Sequence, residues 1–201
     1  MDIHKSIESQ ILTEIKARGR GSVFVPTDFL NFGSREAIDL ALHRLVNKGT
    51  IRRLTRGMYD FPKIHKTLGQ LMPSVEAVAS ALAGRDRIRI QPAGAYASNL
   101  LGLSEQVPAK IVFLTDGPSR AINIDSMTIQ LRRTTAKNME TAGRLSGLLI
   151  QAFKELGKDN ITPSRRKHLK RTIPAKKRHE ILKDIRFAPE WMRPILKELA
   201  E

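Results

Sequence analysis

The chain has 201 residues, 41% of them hydrophobic and 27% charged, enough for two ordinary domains with packed cores and too apolar for a chain that stays disordered. Lys and Arg number 35 against 20 Asp and Glu, and the net charge of +15 points to a polyanionic partner. The absence of cysteine excludes disulfides, thiolate zinc sites and a cysteine nucleophile, and it fits a reducing compartment.

In chain order, Ile3, Ile7, Ile11, Leu12 and Ile15 recur at helical spacing and predict an amphipathic helix over 3–18, stopped at Gly19. Val23-Phe24-Val25 reads as a brief strand ending at Pro26. Thr27 or Asp28 then caps a short helix through Phe29 and Leu30 that stops near Gly33. Ser34 is the expected N-cap of the next helix, with Glu36 favourably placed in its first turn. In that helix Ala37, Ile38, Ala41, Leu42, Leu45 and Val46 form the buried stripe, while Arg35, Asp39, His43 and Asn47 look outward. Ile51–Leu54, a Thr55-Arg56-Gly57 turn and Met58–Phe61 predict a hairpin closed by Pro62. Helix, strand, helix, turn, helix and hairpin is the element order of a winged helix-turn-helix, assigned to 1–66.

Lys63–Met72 reads as a linker with helical character, and residues 67–201 as a second, mixed α/β domain. Ser74 caps a helix to Gly84, Arg87–Ile90 alternates like a strand, and Pro92–Leu101 reads as a small-residue helix. Lys110–Thr115 is a buried strand, and 121–124 with 127–131 form an antiparallel pair turned at Asp125-Ser126. The part from about 138 to 201 is helical: one helix over 138–157, then short helices near 162–172, 175–186 and 189–200, punctuated by prolines. Trp191 is expected as a packing anchor. The fold class is α+β.

For function, the helix from Ser34 to Lys48 is the candidate reading element, because Arg35 at its start can fork onto guanine in a major groove. Arg44 and Lys48 lie to the side, placed for phosphates. Arg52, Arg53 and Arg56 load the hairpin with charge suited to a minor groove or backbone. The expected DNA-binding set is therefore Ser34, Arg35, Arg44, Lys48, Arg52, Arg53 and Arg56. The basic run Arg165–Arg171 with Lys176–His179 reads as a second phosphate surface, a docking face for an acidic partner, or a solvated helical face. Interleaved Leu169, Ile173, Ile181, Leu182 and Ile185 argue for folded helices there.

Catalytic signatures are absent. The five histidines, His4, His43, His65, His168 and His179, lack metal-ligand spacing; Gly19-Arg20-Gly21 is not a dinucleotide loop; and Asp116 and Asp125 read as local turn residues. No enzyme, metal or cofactor is expected. Without an apolar run of about 18 residues or an apolar leader after Met1, no membrane partner is expected either, and the location is expected to be cytoplasmic.

The stretch Gly33-Ser34-Arg35, Ala37-Ile38, Ala41-Leu42, Arg44-Leu45, Gly49, Ile51-Arg52-Arg53, Arg56-Gly57, Tyr59 and Pro62 resembles the bacterial AbiEi-type antitoxins. The similarity continues through Gln91–Ala97, Leu100–Leu103, Val107-Pro108 and Leu114–Gly117. The resemblance implies a transcriptional autorepressor and antitoxin of a type IV toxin–antitoxin system. In such systems the winged helix binds operator DNA, expected here as paired half-sites, and the second domain counters a nucleotidyltransferase toxin without requiring a stable complex. It also implies that Tyr59 packs the wing against the helices. The alternative is a stand-alone winged-helix regulator whose second domain binds a ligand or dimerises.

Overall fold

The computed structural model describes residues 6–106, 108 and 110–201. Ile3 and His4, at the expected start of the first helix, and Val107 lie outside the described residues. The chain is a mixed α+β protein whose described residues form two compact units. One runs to Arg87 and takes in Asn123–Met127; the other comprises Ile88–Ile122 and Thr128–Glu201. No helix among the described residues is long and apolar enough to cross a membrane.

The first unit opens with α1 (Ile7–Arg18), capped by the Ser6 hydroxyl accepting from the Ser9 N–H. Then follow β1 (Val23–Phe24), a 3-10 turn (Pro26–Phe29) and α2 (Arg35–Asn47). Ser34 caps α2, its Oγ accepting the Ala37 N–H at 3.3 Å. The capping of the 3-10 turn differs from expectation: Asp28 reaches back to accept the Val25 N–H at 3.2 Å. β2 (Arg52–Thr55) and β3 (Met58–Asp60) form the hairpin, and β1 pairs antiparallel with β3, giving the order β1-β3-β2. Gly57 at φ 69 supplies the left-handed residue that lets so short a connection turn.

Ile11 and Ile15 of α1, Ile38, Leu42 and Leu45 of α2, and Phe24, Phe29 and Tyr59 fill this core. Phe24 meets Phe29 edge-on at 5.5 Å and stacks on Tyr59 at 6.4 Å, so Tyr59 does join the hairpin to the core. Of the expected α2 stripe, Ile38, Ala41, Leu42 and Leu45 are buried, while Ala37 and Val46 are half-buried at its margins.

The expected linker is ordered differently. Ile64–His65 (β4) pairs with Gly69–Gln70 (β5) as a second small hairpin. His65 Nδ1 accepts the N–H groups of Thr67 and Leu68 at 3.2 and 3.3 Å, so the turn satisfies its own donors and no helical ladder forms. The next helix, α3 (Val75–Asp86), packs beside β1 within the first unit. The contacts thus divide the chain after Arg87, whereas the sequence reading drew the boundary between 66 and 67.

Arg87 closes α3 in a left-handed conformation, φ 53, which moves the following strand to β6 (Ile90–Ala93) and delays the helix to α4 (Gly94–Leu100). β7 (Ile111–Thr115), β8 (Arg120–Ile124) and β9 (Met127–Arg133) complete a sheet in the order β6-β7-β9-β8. β6 is antiparallel and β9 parallel to β7. Pro92 is tolerated because β6 is an edge strand.

The helix expected over 138–157 is interrupted. α5 (Ala136–Met139) ends in a turn through Gly143, and α6 (Leu145–Leu156) begins afresh. α6 is buried from Ser146 through Phe153 except for Leu148, as befits a helix covered on several sides. Its start is held by Asp184, 2% exposed, which accepts from Ser146 Oγ and from Arg144. Helices α7 (Pro163–Thr172), α8 (Ala175–Asp184) and α9 (Arg193–Ala200) contribute Leu169, Ile181, Leu196 and Leu199 to the same core, against which Trp191 packs.

Two glycine substitutions should act in opposite directions. A Cβ on Gly147 would overlap the Thr141 carbonyl oxygen and stand 2.7 Å from Gln91 Oε1, so Gly147→Ala should cost about 1–3 kcal/mol through overpacking. Gly84 lies in α3 with nothing within 4 Å of its missing Cβ, and Gly84→Ala should gain roughly 0.5–1 kcal/mol. Denaturant midpoints of both variants check the signs.

Candidate nucleic-acid interface

The outward face of α2 carries Arg35, Asp39, His43 and Asn47, all exposed. Arg35 donates through Nε to Asp39 at 3.0 Å, an i,i+4 pair with both side chains about half exposed. Such a surface pair contributes only about 0.3–0.5 kcal/mol, but it uses Nε alone. It leaves the terminal nitrogens of the Arg35 fork without a partner among the described residues. Ser34 spends its hydroxyl oxygen on the helix start. Hydrogen bonding by its own backbone N–H, and then by the Ser34 side chain, holds the Glu36 carboxyl below the usual glutamate range. His43 and Asn47 bond each other at 3.1 Å farther along this face.

The remaining expected contacts separate by what already holds them. Arg44, Arg53 and Arg56 are exposed and their side chains have no hydrogen-bond or ion-pair partner among the described residues. Lys48 is tied to Glu8 of α1. Arg52 stands apart from the others. Its Nε and Nη2 grip Asp60 at 3.1 and 2.7 Å, and Nη2 also donates to the Leu71 carbonyl at 3.0 Å. Asp60 has no solvent exposure, and the hydrogen bond to it raises the Arg52 pKa further above its ordinary value. A buried carboxylate needs such a partner, so Arg52 is committed to the interior while Arg53, one position on, faces out.

Sequence reasoning did not find what steadies the hairpin tip. Arg85, near the end of α3, donates Nη1 to the Arg56 carbonyl at 3.1 Å and pairs with Asp86. The link spans 29 positions, and no local pattern announces it. It also missed Lys63 and Lys66, which the second hairpin exposes.

In the second unit the basic run is partly spent on packing. Arg166 pairs with Glu198 at 2.9 Å and Arg178 donates to the Lys170 carbonyl at 3.0 Å, leaving Lys167, Arg171, Lys176 and Lys177 exposed. Asp116 accepts from the Arg89 N–H and Nε, both at 2.8 Å, and the Arg89 side chain holds its carboxyl below the usual aspartate range. It acts locally. No group of three or more metal-ligating side chains occurs among the described residues.

The sequence pattern of a family of unknown function (DUF6088) matches residues 10–181, and the chain belongs to that family. A comparison with curated proteins returns no match. Among solved structures, the RV2827C protein from Mycobacterium tuberculosis is similar at 15% identity with a TM-score of 0.46, the similarity covering 96% of this chain and 81% of that one.

The division between committed and free arginines has a direct test. Arg52→Ala strands the Asp60 carboxylate and should lower stability by about 3–5 kcal/mol. Arg53→Ala should stay within about 0.5 kcal/mol of the parent. Urea unfolding of the two variants decides; equal losses would mean that Arg52 is not the internal clamp.

Proposed function

We propose that the protein is a cytoplasmic DNA-binding transcriptional repressor whose first unit is a winged helix. In this reading α2 enters the major groove and the β2–β3 hairpin lies along the backbone or an adjacent minor groove. The observation that carries it is the set of exposed arginines on two successive elements: Arg44 on α2 and Arg53 and Arg56 on the hairpin, with no internal partner among the described residues, and Arg35 on α2, paired through Nε with Asp39 and keeping its terminal nitrogens unpaired. The order of α1, β1, 3-10 turn, α2 and hairpin supports the same reading, because it is close to the element order of groove-reading winged helices. The Arg35 fork, oriented by Asp39, is matched to O6 and N7 of a guanine. Arg44, Arg53 and Arg56 are matched to phosphates, which fix register and supply sequence-independent affinity.

The antitoxin role rests on the sequence resemblance alone. It assigns autorepression to the winged helix and the countering of a nucleotidyltransferase toxin to the second domain, with paired operator half-sites.

Titration of the full chain against DNA from upstream of its own gene, and against a scrambled duplex of equal length, tests the reading. The protein should prefer the upstream DNA. Arg35→Ala should lose roughly 1–3 kcal/mol on it and little on the scrambled duplex. Equal binding of both duplexes by the parent, or equal losses on both in the variant, would overturn the assignment of α2 as the reading helix.

A further inference from the structure

Ile64 and Leu68 are the most exposed large hydrophobic side chains of the described residues, at 62% and 72%. Both belong to the β4–β5 hairpin, which the functional reading above does not use. A two-stranded hairpin is marginal on its own in water, yet this one is held at several points. Leu71 N–H donates to the Lys63 carbonyl at 2.8 Å and closes the base. The Arg52 fork, already bound to Asp60, takes the Leu71 carbonyl. Arg20 donates to the Pro62 carbonyl at 2.9 Å while lying 4.5 Å over the Phe61 ring. At the far end the His65 ring accepts the Thr67 and Leu68 N–H groups, so the tip that displays Leu68 is preorganised. Holding an apolar side chain rigidly in water gives the fold nothing; presenting it to a partner does.

The charge of the hairpin selects that partner. Lys63 and Lys66 are exposed and no acidic residue occurs between Phe61 and Ser74. A second copy of this +15 chain would bring lysine against lysine, whereas a phosphate backbone neutralises both. A rigid apolar tip flanked by cations is also how minor-groove proteins wedge a base step apart. β3 joins the two hairpins, with Arg56-Gly57 before it and Lys63 three residues beyond its end, so the second hairpin follows the strand end opposite the first turn.

We infer that the β4–β5 hairpin is a second DNA-contacting element, in which Leu68 wedges into a minor groove and Lys63 and Lys66 meet the flanking phosphates. This rests on the DNA-binding reading above. Arg52 then has a positioning role: it touches no DNA and holds the hairpin through Leu71.

The test uses the full chain and an end-labelled duplex of upstream DNA of about 30 base pairs, roughly three helical turns. Affinity and end-to-end energy transfer are read together. The parent should bind and bend the duplex. Leu68→Ser removes an exposed side chain, so folding should be intact by circular dichroism; binding should weaken roughly tenfold, the size of one lost apolar burial, and the bend should relax. Lys63→Ala and Lys66→Ala should each flatten the log–log salt slope by about 0.9 with less effect on the bend. If the parent does not bind, the DNA reading itself fails. Should the parent bind while Leu68→Ser matches it in affinity and bend, or should Leu68→Ser lower the mass in sedimentation by breaking a self-association, the hairpin inference alone is overturned.

Discussion

A carboxylate with no solvent exposure, at the end of the central strand of a small sheet, constrains everything around it. Asp60 lies directly opposite Arg52 in the β2–β3 register, and the two meet through both oxygens. The same guanidinium takes the Leu71 carbonyl, so one side chain joins the first hairpin to the base of the second. Successive residues of a strand face opposite ways, so Arg52 lies on the face of Asp60 and can reach it, while Arg53 lies opposite Tyr59 on the other face and stays exposed at its edge. The outward presentation of Arg53 and Arg56 depends on this inward pair, because the pair fixes the register in which the hairpin is built.

The net charge of +15 therefore does not measure a binding surface. Arg18 bonds Glu14 and Asp28, Arg20 holds Pro62, Arg85 holds the Arg56 carbonyl, Arg89 holds Asp116, and Arg166 holds Glu198. These arginines serve packing and loop closure. What remains exposed on α2 and the two hairpins is Arg35, Arg44, Arg53, Arg56, Lys63 and Lys66, the set that the proposed function assigns to a duplex. The cations left on α7 and α8, Lys167, Arg171, Lys176 and Lys177, form a separate basic surface on the second unit.

The parts legible in the sequence were those set by local chemistry. Ser34 as a cap, the Ile38–Leu42–Leu45 stripe, Gly57 at a turn and the prolines between α7, α8 and α9 each act within a few residues, so composition and period revealed them. The misses share a tertiary cause. Nothing near Arg52 in the sequence distinguishes it from Arg53; only the pairing with Asp60 across the hairpin does. The Lys63–Met72 segment reads as a linker with helical character, but Gly69 at φ 70 and the His65 ring turn it into a hairpin, and its anchor lies on β2. The break before α6 comes at Gly143, in a left-handed turn at φ 76, and Gly147 then lets the new helix start pack closely against the Thr141 carbonyl and the Gln91 side chain, the latter from a distant part of the chain. On the candidate site, sequence supplied Arg35, Arg44, Arg53 and Arg56, and could not separate Arg52 and Lys48 from them.

On the proposed DNA-binding reading, exposed arginines with no internal partner meet phosphates while Arg52 does not. The salt dependence of binding to duplex DNA measures this most directly. Replacing Arg44, Arg53 and Arg56 together by alanine should lower the log–log slope by about 2.7, at about 0.9 per phosphate contact, with stability nearly unchanged. A slope equal to that of the parent, with only a loss of stability, would contradict the account.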